Sequence, residues 1–354
     1  YGLPKIHKVN VPLRPIFSAC GTATYALAKF LVPILAPLTE NEFTIKNSYA
    51  FVNDVRDLQL SKDMVMVSFD IESLFTNIPV QETIDIAMNS LFNLCNDVCG
   101  IPRKVFRSML ELSVGNSFFL FDQKLYQQLD GVGMGLPLGP TFANIFLCFH
   151  EKNWLAMCPT EFRPVVYRRY VDDCFLVFHH ISHAEKFLTF LNNQHPKIKF
   201  TKEVEANGIL PFLDIPIRRV GTSIQTSVYR KPTFTGLCLS FFSFVPFSIK
   251  WAVVQSYIYR AYKISSNYRL FDSELKFLKK FFVDNGFPKS LIEYSVAKFL
   301  NKQFSPAPAQ AQVPKLEKFI VLPFFGQQSL NLKKEIDTLL KKILSVHQPS
   351  IRTS

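Results

Sequence analysis

The chain has 354 residues, 48% of them hydrophobic, and carries 40 Lys and Arg against 28 Asp and Glu, a net charge of +12. This composition excludes a disordered chain and supports two or three structural units around a sizeable core. The basic excess favours a polyanionic partner, either nucleic acid or an acidic membrane surface.

Seven scattered cysteines form no disulfide framework. Cys95 and Cys99 have helical spacing, but no second Cys or His pair stands near enough to complete a zinc site. Reduced thiols in an intracellular protein are therefore expected. The chain opens on Tyr1 without a signal-peptide pattern, and further residues are expected ahead of it.

Residues 1–60 mix short apolar stretches with Pro4, Pro12, Pro15, Pro33 and Pro37. Met64-Val65-Met66-Val67-Ser68-Phe69 predicts a buried strand ending at Asp70. Val80 to Leu94 has helical spacing. Ser117 to Phe121 and Lys124 to Gln128 flank Asp122-Gln123 as a hairpin. A Gly/Pro-rich loop from Gly131 to Pro140 leads into a helix from Thr141 to about His150. Val165 to Tyr170 and Cys174 to Phe178 predict two strands, with Asp172-Asp173 at the turn between them.

The uncharged run Pro232 to Ile249 is broken by Pro246 and rich in Ser and Thr. A spanning helix needs roughly 20 mostly apolar residues, so this run is expected to be buried or partner-facing, with no membrane span. Asp272 or Ser273 is expected to cap a helix that stops at Asn285-Gly286, and Pro288 to open the next. The segment SPAPAQAQVP, residues 305–314, has linker composition. A strand from Phe319 to Leu322 and a helix from Leu332 to Leu344 follow.

The chemical clue is a carboxylate at a strand end plus a carboxylate pair in a hairpin turn. Asp70 and Asp172 lie 102 positions apart, so only folding can unite them. Two-metal phosphoryl transfer needs such convergence, with ions ~3.5–4 Å apart sharing carboxylate ligands. Hard oxygen ligands suit Mg²⁺, with Mn²⁺ as a substitute. An isolated Asp-Asp pair is commonly just a turn. Here strongly apolar strands flank it, and acids presented from a buried hairpin are costly unless ions neutralise them.

Tyr170-Val171-Asp172-Asp173 resembles the YxDD box of reverse transcriptases. The segment from Phe69 to Pro79 resembles their first metal-binding motif. Gly133-Met134-Gly135-Leu136-Pro137-Leu138-Gly139-Pro140-Thr141-Phe142-Ala143-Asn144 resembles the loop and helix that support template and incoming nucleotide. More narrowly, Gly2 to Lys8, Arg14-Pro15-Ile16, Phe200-Thr201, Phe212-Leu213-Asp214 and Tyr229 to Thr233 are similar to the reverse transcriptase of Penelope-like retroelements, relatives of telomerase. The resemblance covers roughly residues 1–300. Met134 stands where many relatives carry Gln, and Gly139 where Ser is frequent. Phe241 to Pro246 replaces a more polar stretch.

The resemblance implies an α+β right-hand polymerase fold. Residues 1–60 would form part of the fingers, 61–230 the palm with an antiparallel sheet and interleaved fingers elements, 231–304 a helical thumb-like region, and 315–354 a C-terminal connector. It implies an RNA-directed DNA polymerase, extending a DNA primer on an RNA template with dNTPs and two Mg²⁺ ions, in the nucleus. Asp70 and Asp172 would be metal ligands, with Asp173 as the accessory carboxylate. Phe75 would be the steric gate against a ribose 2′-OH. Arg14, Met134 and Gly135 would meet the nucleotide, and Lys5, Lys8 and Gly133 the nucleic acid. A GIY-YIG endonuclease often follows in this family; no such motif is present in the sequence. Two alternatives stay open at this point: another palm polymerase using ribonucleotides, and a non-catalytic nucleic-acid-binding relic.

Overall fold

The computed structural model describes residues 2–4, 11, 13–16, 19–93, 97–115, 118–121, 123–304, 318–320, 326–344 and 351–353. The chain divides into two compact units, Tyr1–Tyr229 and Arg230–Ser354.

In the first unit, β1 (Gly2–Pro4) pairs antiparallel with β2 (Leu13–Pro15), placing Leu3 opposite Arg14. Two helices follow, α1 (Tyr25–Leu35) and α2 (Ser48–Arg56). The Asn47 side chain caps α2 by accepting from the amides of Tyr49 and Ala50. Strand β3 (Val65–Ile71), helices α3 (Leu74–Asn77) and α4 (Val80–Leu91), and the short pair β4 (Asp97–Val98) and β5 (Ile101–Pro102) come next. Helix α5 (Arg103–Gly115) precedes the hairpin β6 (Phe118–Phe121) and β7 (Lys124–Gln127). Helix α6 (Gly139–Met157) leads to β8 (Val166–Tyr170), β9 (Asp173–Phe178), α7 (Ile181–Asn192) and β10 (Phe200–Val204). A meander of β11 (Ile209–Phe212), β12 (Ile215–Val220) and β13 (Ser223–Thr226) ends the unit.

The central sheet has the order β10-β3-β9-β8, antiparallel throughout. Strand alternation gives it two faces. Phe69, Ile71, Cys174, Leu176 and Phe178 lie on one face, within the core that α4, α6 and α7 complete through Ala87, Phe146 and Phe187. Met66, Ser68, Asp70, Asp173, Phe175 and Val177 share the other by register. There Phe175 meets Phe51 of α2 at 5.2 Å and Phe212 of β11 at 5.8 Å between ring centroids.

The second unit contains α8 (Phe247–Ile264), α9 (Tyr268–Asp284) and α10 (Lys289–Phe304), which enclose Val254, Ile258, Phe271, Leu278, Phe282, Ile292, Val296 and Phe299. Beyond them lie β14 (Lys318–Ile320), α11 (Gln327–Leu344) and β15 (Ile351–Thr353).

Four expectations are corrected. Helix α6 runs to Met157 rather than about His150, because Glu151, which reads as a surface residue, is buried by partners distant in sequence. Helix α9 is capped by Asn267, whose side chain accepts from Leu270 N at 3.0 Å, while Asp272 pairs with Lys276. Asp173 lies in β9 rather than in the turn. Cys99 sits at φ 55 in the β4–β5 turn, so it shares no helix face with Cys95, which lies outside the described residues. The linker 305–314 also lies outside them. No helix among the described residues is long and apolar enough to cross a membrane.

Candidate functional site

An apolar run with β-branched residues makes β3 a central strand, and its register with β9 sets Asp70 opposite Asp173. Ile71 N donates to Asp172 O at 3.1 Å, so the backbone of the second acid is fastened beside the first. Thr201 on β10 lies opposite Asp70 from the other side, and its hydroxyl donates to Asp70 O at 3.3 Å. Three acids predicted from sequence separations of a hundred residues thus meet at one end of one sheet. Asp70, Asp172 and Asp173 are all half-buried.

Two strands joined by a two-residue loop, Val171-Asp172, present the acid pair, with Tyr170 paired to Asp173 across it. Val171 takes φ 56, the left-handed region that a β-branched residue rarely adopts.

Phe75 is half-buried and packs against the main core from α3. Its carbonyl accepts from Val132 N at 2.7 Å, which ties the Gly/Pro loop to it. A Cβ on Gly139 would stand 3.2 Å from Gly133 O and 3.8 Å from the Phe75 ring. Gly133 is buried, Met134 half-buried, and Gly135 exposed at φ 113. The loop residues and Phe75 are therefore brought together. Arg14 lies on β2, but its side chain lies outside the described residues, as do Lys5 and Lys8.

The donor set suits a hard divalent cation. Among the described residues no group of three or more His, Cys, Asp or Glu side chains forms a ready metal cage. Mg²⁺ in phosphoryl transfer needs only one or two carboxylates, completed by water and substrate phosphates. The acids gathered at the β3–β9 end meet that requirement.

A family model described as reverse transcriptase (RNA-dependent DNA polymerase) matches residues 6–205. The chain belongs to the reverse transcriptase family. A second model, the animal helix-turn-helix domain, matches residues 237–296. Among solved structures, the chain is similar to telomerase from Candida albicans in complex with a TWJ fragment of telomeric RNA, at 12% identity and a TM-score of 0.55, covering 78% of this chain and 51% of that one. Telomerase from Candida Tropicalis with the same kind of fragment gives 12% identity and a TM-score of 0.48, over 80% and 48% of the two chains. The Sicinivirus 3Dpol RNA-dependent RNA polymerase gives 15% identity and 0.41, over 70% and 54%. The chain spans about half the length of the telomerase it matches first. No curated protein matches it in sequence. The fold is that of the right-hand polymerases.

Sequence reasoning missed what stands behind the acids of this reverse transcriptase. Arg169 and Glu151 are buried together, 0% and 1% exposed in their side chains, with Arg169 Nε 2.5 Å from Glu151 Oε1. Burial opposes the Arg169 charge, but the attraction and hydrogen bond of Glu151 outweigh it and raise the guanidinium above its ordinary range. Burial likewise pushes the neighbouring Tyr167 phenol and Cys174 thiol up, keeping both neutral. One signal was available in the sequence: Arg169 lies on the Tyr167 side of an alternating strand.

The reverse transcriptase carries its charge unevenly. Residues 1–229 hold 21 Lys and Arg against 21 Asp and Glu, whereas residues 230–354 hold 19 against 7. The entire +12 therefore belongs to the second unit.

Proposed function

We propose that the chain is the polymerase core of a Penelope-like retroelement and extends a DNA primer on an RNA template. The observation that carries this reading is the register of Asp70 against Asp173, with Asp172 held beside Ile71, and a Gly/Pro loop fastened to Phe75, five residues after Asp70. In this reading Asp70 and Asp172 would hold two Mg²⁺ ions, and Asp173 would assist them. When bound, the ions supply activation of the primer 3′-hydroxyl and charge neutralisation at the leaving pyrophosphate.

The chain's own residues do the rest. The β3–β9 hydrogen bonds fix the spacing of the acids before substrate arrives, so no reorganisation is needed at the moment of reaction. Phe75 offers a 2′-OH no hydrogen bond and fills the space it would need. Gly135, exposed and free of a side chain, lets backbone approach the nucleotide, with Met134 beside it. Arg14 would pair with the triphosphate through its planar fork. Residues 1–60 would serve as fingers, 61–230 as palm and 231–304 as thumb, whose Lys and Arg grip phosphates.

Primer extension on poly-A/oligo-dT tests the reading. Asp70→Asn or Asp172→Asn should lower the rate on the order of 10³-fold, to background, while circular dichroism and melting stay near wild type. Near wild-type extension by either variant would remove the assignment. Phe75→Val should raise GTP use relative to dGTP while the protein stays folded. An unchanged sugar preference in a folded variant would show that Phe75 is not the gate, and a joint fall of both activities with the melting temperature would make it a core residue.

A further inference from the structure

One full positive charge is buried directly behind the acid-bearing turn. The Arg169 guanidinium donates to Glu151 at 2.5 Å, to Asn144 Oδ1 at 2.8 Å, to Cys148 Sγ at 3.4 Å and to the carbonyl of Val171 at 3.0 Å. Asn144, Cys148 and Glu151 all belong to α6, the helix that begins at the nucleotide-side loop. Glu151 is saturated in turn: it also accepts from the Tyr167 hydroxyl at 2.8 Å and from Asn41 Nδ2 at 2.9 Å. The Arg169 backbone is held as well, donating to Phe43 O at 2.8 Å and accepting from Ile45 N at 2.7 Å. Arg169 therefore cannot move without breaking contacts to two separate parts of the unit.

One of its bonds lands on the residue whose backbone is strained. Val171 sits at φ 56, a conformation that persists in a β-branched residue only where the surroundings over-determine it. A buried ion pair seldom stabilises a fold more than packed hydrophobic side chains would. Placing one here makes physical sense if it fixes a geometry. We propose that Arg169 is a positioning residue: braced by Glu151 and Asn144, it locks Val171 in the left-handed conformation and thereby aims Asp172 and Asp173. This rests on the reading of those acids as the metal-binding residues of the polymerase. It also links α6 mechanically to the acid turn.

The test is sign epistasis in the full chain. Arg169→Lys keeps the charge but loses the fork. Val171→Gly adopts a positive φ without strain. Single-turnover extension, corrected for active-site concentration, should fall on the order of 10²-fold in Arg169→Lys, because small misplacements of reacting groups cost that much. Primer–template Kd should stay within about twofold, since Arg169 touches no solvent. The Mg²⁺ concentration for half-maximal rate should rise. Val171→Gly should lower the rate in the wild-type background and raise it about tenfold in the Arg169→Lys background, with no recovery of melting temperature. Where Arg169→Lys folds poorly, Asn144→Ala removes a single brace and should act in the same direction more weakly. A rate loss that tracks the folded fraction alone, or an identical effect of Val171→Gly in both backgrounds, overturns the proposal. Amide exchange over residues 170–173 gives a readout free of activity. Protection there should fall in Arg169→Lys while β3 and β10 stay protected; unchanged protection overturns the proposal even if the wild type extends no primer, an outcome that would remove the polymerase reading separately.

Discussion

The two units use charge in opposite ways. The first is neutral in sum and, besides its exposed ion pairs, holds two that are largely buried. Arg169 meets Glu151 in full burial, and Arg219 Nη2 meets Glu205 at 2.6 Å and donates to the Met64 carbonyl, while Arg219 Nη1 donates to the Ser61 carbonyl, both just ahead of β3. Such pairs fix where strands begin and where a turn points. The second unit has a compact apolar core and leaves most of its positive charge outside. Lys289, Lys298 and Lys302 are all exposed on α10, as is Tyr294, and Lys298 sits 5.1 Å over the Trp251 ring of α8. One unit uses charge for geometry, the other for a field that attracts polyanions.

That contrast predicts where affinity for nucleic acid resides. Reversing Lys289, Lys298 and Lys302 to Glu should produce the largest effect on duplex binding, with the salt slope shallower by about 1 for each lysine that meets a phosphate. The matched change in the first unit, at exposed Lys62, Lys104 and Lys152, should move the slope far less. Fluorescence anisotropy across a salt series measures both. Equal slopes in the two triple variants would break the comparison.

A pair of glycines sharpens it at the level of packing. Gly131 and Gly236 both take φ +75, yet a Cβ on Gly131 would overlap the Thr76 carbonyl while one on Gly236 meets nothing within 4 Å. Gly131→Ala should cost about 3 kcal/mol, combining overpacking with the left-handed penalty, and loosen the loop from Phe75. Gly236→Ala should cost only about 1 kcal/mol. Urea unfolding of the two variants checks the difference, and equal costs would mean the Gly131 loop can retreat from α3.

These contrasts also show what the sequence could reveal. The β3 run and the apolar strands around Val171-Asp172 were legible because period, β-branching and a terminal acid agree. The stop at Asn285-Gly286 and the opening at Pro288 were legible because caps act locally. Glu151 and Arg169 were not. Each reads as a surface residue until a partner 18 positions away buries it. The start of α9 was misplaced because Asp272 and Ser273 are competent caps in sequence, while Asn267 holds the actual end. The +12 charge was legible as a total, but its confinement to one unit becomes meaningful only once the unit boundary is known.

The smallest expected effect concerns pH and belongs mainly to the first unit, which holds six of the seven His. In the first unit His150 Nε2 lies 2.8 Å from Glu82 Oε1, and the ring stacks on Trp154 at 5.2 Å. Burial lowers its pKa, and the attraction of Glu82 only partly offsets this. In the unfolded chain the same imidazole titrates near ~6.5. As pH falls below that value the unfolded state takes up a proton that the folded state still refuses, so folding stability must fall. The loss begins near the unfolded value and levels off once pH drops beneath the lowered folded one. Replacing His150 with Gln keeps a donor toward Glu82 and removes the titration. Melting temperatures measured from pH 7.5 to 5.5 should therefore decline less steeply in His150→Gln than in the wild type. Parallel slopes would mean that His150 titrates alike in both states. A rise in stability on acidification would mean that Glu82 outweighs burial, and that the first unit uses this pair, like Arg169 and Glu151, as a full ion pair.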